Sequence, residues 1–114
     1  MESILNSIKQ MLGITAEQTD FDDEIIIDIN TVLNILHQIG IGKKGYFIEG
    51  ANEIWSDFLP EVDDTMMVKT FVYMKVKLMF DPPLNATVIG SMEKQIAELE
   101  FRLLENHNDK EEAE

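Results

Sequence analysis

The stretch from Val68 to Phe80, VKTFVYMKVKLMF, has helical spacing and is closed by Asp81-Pro82-Pro83. At 3.6 residues per turn, Met67, Val68, Phe71, Val72, Met74, Val76, Leu78, Met79 and Phe80 cover more than half of the circumference, and Lys69, Tyr73 and Lys77 share the rest. A helix so widely apolar has to lie among other helices. Proline cannot continue the backbone ladder and disfavours helical geometry in the residue before it, so the Asp-Pro-Pro sequence sets the end. Lys75 falls inside the apolar arc, between Phe71, Leu78 and Met79. An ammonium at that position has to snorkel, meet a carboxylate, or face a partner chain.

The other turn signals divide the chain into an all-α fold: a small bundle of four to five helices with a Gly-rich loop and at most one short strand. Residues 3–12 place Ile4, Leu5, Ile8, Met11 and Leu12 on one face, and Gly13 follows as a C-terminal cap. Thr19 or Asp20 is positioned to cap a second helix, whose first turn gathers Asp22, Asp23 and Glu24 at the positive end of the dipole. Its stripe is Phe21, Ile25, Ile29, Val32, Leu33, Leu36 and Ile39, with Gly40 and Gly42 at its end. Ile27 points away from that stripe and is a candidate for a contact surface. Residues 40–50, GIGKKGYFIEG, form the loop, and Tyr46-Phe47-Ile48 is the only run that suits a short strand. Ile54, Trp55, Phe58 and Leu59 give one helical turn before Pro60, with Trp55 as a core plug. Asp63 or Asp64 caps the apolar helix.

A last helix runs from about Asn85 to Glu105, with Ile89, Met92, Ile96, Leu99 and Leu103 in alternating steps of three and four, a narrow seam for one neighbour. A second line, Gly90, Ala97, Phe101 and Leu104, carries an aromatic where a solvated face is usually polar. Either the first helix covers this line or another subunit does. The division is a helical domain over residues 1–106 and an acidic, flexible tail over 107–114, whose composition favours solvation.

The chain has 114 residues, 45% of them hydrophobic and 27% charged, which fits one globular domain. No apolar run approaches the roughly 20 residues of a membrane span, and Met1-Glu2-Ser3 is not the opening of a signal peptide, so a cytosolic, non-membrane protein is expected. With no cysteine there is no disulfide, thiolate nucleophile or cysteine-based zinc site. The formal net charge of -13 argues against binding nucleic acid through phosphate neutralisation.

Catalytic signals are weak. His37 and His107 stand in a helix edge and in the tail, with no serine or cysteine arrangement beside them, and no enzyme activity, metal or cofactor is expected. Asp20-Phe21-Asp22-Asp23-Glu24 lacks the glycine and the final glutamate of an EF-hand loop, so capping explains it better. Lys43-Lys44 lacks P-loop spacing and suits a solvated turn or a partner's carboxylate. Two other functions are open to such a composition. An acidic DNA mimic inhibiting a DNA-binding protein would need carboxylates spaced like phosphates, whereas these cluster at helix starts and in the tail. A metal-assisted hydrolase would need ligands that converge.

The succession SILNSIKQMLGI (3–14), FDDEIIIDINTVLNILHQIGIG (21–42), Tyr46-Phe47-Ile48, WSDFL (55–59), VKTFVYMKVKLMFDPP (68–83) and MEKQIAELEFRLL (92–104) resembles the head-tail connector, or head-completion adaptor, family of tailed phages and prophages. The likeness covers nearly the whole chain except its acidic tail. It implies a non-catalytic virion protein of the phage neck, assembled in the bacterial host cytoplasm. About a dozen copies would form an oligomeric ring that binds the portal, extends the channel for double-stranded DNA without binding it specifically, and docks the stopper or tail protein. On that basis Ile27, Lys75, Phe101 and Leu104 are candidates for subunit contacts. His107, Asn108, Asp109 and Lys110 are candidates for contact with the portal, which the family's C-terminal segment engages.

Overall fold

The computed structural model describes residues 2–59 and 65–113, with side chains through 106. Its helices are α1 (Ile4–Met11), α2 (Asp22–Gln38), α3 (Trp55–Phe58), α4 (Thr65–Phe80) and α5 (Ala86–Ala113), and the described residues form no sheet. The all-α expectation holds. The apolar helix of the sequence is α4, and it packs on α1, α2 and α5. Val68, Phe71, Val72 and Val76 are fully buried there.

Local chemistry sets most boundaries. Ser3 caps α1, its Oγ accepting from the Asn6 amide at 3.2 Å. At the far end the Gly13 amide donates to Gln10 O and the Ile14 amide to Lys9 O, a Schellman pair made possible by Gly13 at φ 83°. The same motif ends α2: Gly40, at φ 92°, donates to His37 O and Ile41 to Leu36 O, while Ile41 and Leu36 are both buried. Lys77 pairs with Asp81 at 2.9 Å at the stop of α4. Asn85 Oδ1 then accepts from the Thr87 amide at 2.8 Å to start α5.

Three expectations change. Neither Thr19 nor Asp20 caps α2 with its side chain: the N-cap is Phe21, and the Asp22 amide donates to the Thr19 carbonyl. The reason is that Asp22 is drawn to Lys9, as described below. Tyr46-Phe47-Ile48 is not a strand. Its edge is satisfied by a side chain instead, with the Ile48 amide donating to Asn30 Oδ1 at 2.8 Å and Asn30 Nδ2 donating to Ile48 O at 3.0 Å. Among the described residues a β-bridge joins Ser3 to Ile54, where Ile4 N donates to Glu53 O. Finally, α5 does not stop at Glu105. It continues to Ala113 because no glycine or proline follows Gly90, and the terminal Lys, Glu and Ala favour helix. The proposed caps of α4, Asp63 and Asp64, lie outside the described residues, as does Pro60.

Trp55 is the plug the sequence suggested. It is 4% exposed, and its Nε1 donates at 2.7 Å to Ser7 Oγ, which itself donates to the Ser3 carbonyl. Asp57 accepts from the Ile54 amide and so holds the start of the short α3. The seam of α5 faces α4, with Ile96 and Leu103 buried and Leu99 packed against the core. Helix α4 contacts both α2 and α5, and the molecule measures 45 × 36 × 20 Å.

Candidate interaction surfaces

The polar side chains most deeply buried serve the fold. Lys9 lies in the apolar stripe of α1, between Leu5 and Leu12, and is 1% exposed. Its Nζ donates to Gln18 O at 2.7 Å and Ala16 O at 3.3 Å, and it pairs with Asp22 at 2.7 Å. One ammonium therefore ties the α1–α2 connection to the start of α2. Among the described residues no three His, Cys, Asp or Glu side chains gather into a metal-sized group. No helix among them is long and apolar enough to cross a membrane.

The surface is apolar in separate places. On α5, Phe101 is 63% and Leu104 39% exposed, so α1 does not cover this face. Phe101 lines a groove of about 350 Å³ with Met67, Glu98, Arg102, Glu105 and Asn106, where Arg102 pairs with Glu98 at 2.9 Å. Leu103, the next residue after Arg102, is fully buried, and this fixes the rotation of α5 that turns Phe101 outward. On α2, Ile27 is 65% exposed, and its carbonyl accepts from Thr31 Oγ1. Beside it, burial and then the nearby Glu24 carboxylate push the Asp28 carboxyl above its ordinary value.

Lys75, on α4, is half-buried. Its Nζ stands 5.8 Å from the centroid of the buried Phe71 ring, and none of the described carboxylates forms an ion pair with it. An aromatic face thus takes the place of the carboxylate as its intrachain neighbour. The four candidate contact residues do not make one patch: Ile27 lies on α2, Lys75 on α4, and Phe101 and Leu104 on α5. His107, Asn108, Asp109 and Lys110 continue the α5 backbone, with side chains outside the described ones.

Phe47, Met66, Leu84 and Val88, which the sequence does not mark as surface, are also exposed, as are Met11, Phe21 and Met79 on the apolar stripes. Phe47 is 57% exposed, beside the inward Ile48 held by Asn30, and the alternation of an extended chain, Tyr46 in, Phe47 out, Ile48 in, carries that signal. Leu84, after the two prolines, is fully exposed. It shares the surface with Met79, Val88 and Phe21, the last in edge contact with Phe80 at 5.6 Å between centroids.

Apolar side chains on different helices are thus exposed to solvent. A comparison with protein families matches residues 4–110 to the phage connector protein family. Curated proteins and solved structures give no match. With nearly all of its length aligned to that family, the chain belongs to the phage connector proteins and is a structural protein of a phage particle.

Proposed function

We propose that this protein forms an oligomeric ring of about twelve copies in the phage neck, one face on the portal and the other on the stopper or tail protein. The observation that carries the reading is the exposed Phe101–Leu104 face of α5, on a helix whose opposite side is already committed to α4. A closed ring requires one patch to meet a different patch on the next copy, and exposed apolar side chains on α2, the 40–50 loop and α5 supply different patches. Ile27, Lys75, Phe101 and Leu104 are the residues we place at subunit contacts. The last turns of α5, with His107, Asn108, Asp109 and Lys110, are placed against the portal.

The charge supports a channel function. A ring of subunits each carrying -13 repels phosphate, so duplex DNA passes without being held. The role is mechanical and calls for no reaction or cofactor. Particles assemble in the host cytoplasm, and the mature protein stays in the virion.

Light scattering and negative-stain imaging of the purified protein, alone at high concentration and with the portal of the same phage, test this. Rings are expected; monomers under both conditions would refute the reading. A gel at low salt should show no retention of double-stranded DNA, and a clear shift would remove the channel-wall role.

A further inference from the structure

Resting on the ring proposed above, we infer that its subunit contact seats the Phe47 loop of one copy in the Phe101 groove of the next. The loop presents an exposed aromatic, Phe47, with Lys43 and Lys44 close to it in sequence. Both lysines are exposed, and neither has an ion-pair partner among the described residues. They make the only adjacent pair of basic residues in a chain with 22 acidic and 9 basic ones. The groove presents the opposite character: the Phe101 ring and Met67 form its apolar part, and Glu98 and Glu105 line it. Arg102 also lines it and pairs with Glu98 at 2.9 Å, so the charged lining, Glu98, Arg102 and Glu105, carries one net negative charge. A protruding aromatic flanked by cations thus has, on the same molecule, an apolar groove edged by carboxylates.

The two patches do not meet within one subunit, since Phe47 and Phe101 are both more than half exposed. The loop is fastened to α2 by Asn30 on Ile48, whereas the groove lies on α5 and the first turn of α4. The Lys43 amide donates to Phe58 O in α3, just ahead of α4 in the chain, and the groove includes Met67 in the first turn of α4. Complementary patches on different elements make a head-to-tail contact, the kind that closes rings. The occupant of the groove is therefore a second copy of this chain.

The test uses charge reversal in full-length protein, checked for helical circular dichroism. In Lys43→Glu/Lys44→Glu the reversed loop meets the native acidic groove; in Glu98→Lys/Glu105→Lys the native basic loop meets a reversed groove. Each variant alone is expected to associate at least about tenfold more weakly than wild type, because like charges face each other at its own contact. Mixed in equal amounts, the two alternate around a ring in which every contact is again complementary, so association returns to near the wild-type level. As an independent readout, Lys44→Cys/Glu105→Cys in this cysteine-free chain should give a ladder of cross-linked multimers with a short bismaleimide. Single variants that assemble like wild type, a mixture as weak as its parts, or the lack of a ladder under conditions where wild type forms rings overturns the pairing and leaves the groove to a different protein. A wild type that forms no ring, alone or with portal, overturns the pairing and the proposed function together.

Discussion

Lys9 holds a full charge at a site closed to solvent, and it is tolerated because three oxygens, from Gln18, Ala16 and Asp22, surround its ammonium. Lys9→Met keeps the stem and removes the head, leaving Asp22 without its counter-ion and two carbonyls without their donor. We expect a loss of about 2–4 kcal/mol in urea unfolding, discounted from the fully buried case because Asp22 is partly exposed. A change within about 0.5 kcal/mol would show that water replaces the ammonium without cost. Asp28 works in the other direction. Its folded-state pKa is raised by burial and by Glu24, so the fold binds the proton more readily than the unfolded chain, and this residue's contribution falls as pH rises through the carboxylate range. Asp28→Asn should therefore raise Tm at pH 7, with the difference narrowing as pH is lowered and wild-type Asp28 becomes protonated. Equal melting curves at neutral pH would contradict this.

Among the elements, the loop between α2 and α3 is the least regular and the most tightly specified. Asn30 replaces a missing strand partner, and Phe58 fills the space left by Gly42. A Cβ built at Gly42 would lie 2.1 Å from the Phe58 ring, at a backbone φ of 85° that side-chain-bearing residues rarely adopt. Both effects act against Gly42→Ala, and the expected cost is about 2–4 kcal/mol, measured by chemical denaturation. The neighbouring Gly45→Ala keeps the φ penalty but meets no atom within 4 Å, so it should cost about 1–2 kcal/mol. Equal costs would show that the Phe58 ring moves aside freely. The helices obey simpler rules. Their starts and stops follow from Ser3, Asn85 and the Schellman glycines, all local in sequence.

At the scale of the whole molecule, α4 packs on α1, α2 and α5 and buries its core face, while apolar side chains on α2, the 40–50 loop and α5 are left exposed. Phe101→Asp places a carboxylate at a position already 63% exposed, so the circular-dichroism spectrum and Tm should stay close to wild type. Self-association, followed by sedimentation or light scattering, should weaken by at least about tenfold, as for loss of an aromatic anchor at an interface. A collapse of the fold would mean that the ring is held inside the core; unchanged assembly would remove Phe101 from the contact.

Much of the fold was legible because its signals are local. The apolar arc of α4, the Asp-Pro-Pro stop, the glycines after α1 and α2, the narrow seam of α5 and the Trp55 plug each depend on a few neighbouring residues, and each stands where the sequence places it. What periodicity could not rank was which charge is buried. Lys75 and Lys9 both fall on apolar faces, but only the return of the chain through Ala16, Gln18 and Asp22 brings oxygens to Lys9, and only the Phe71 ring lies under Lys75. The same holds for the surfaces: the rotation of α5 that buries Leu103 is what exposes Phe101, and the bond from Asn30 is what turns Phe47 outward. Sequence alone determined the helices and most of their ends, because propensity, capping and proline geometry act over a few residues, although α5 runs on past Glu105 and neither Thr19 nor Asp20 caps α2. Tertiary structure alone decided which apolar side chains were left without a partner, because burial is set by elements far apart in the chain.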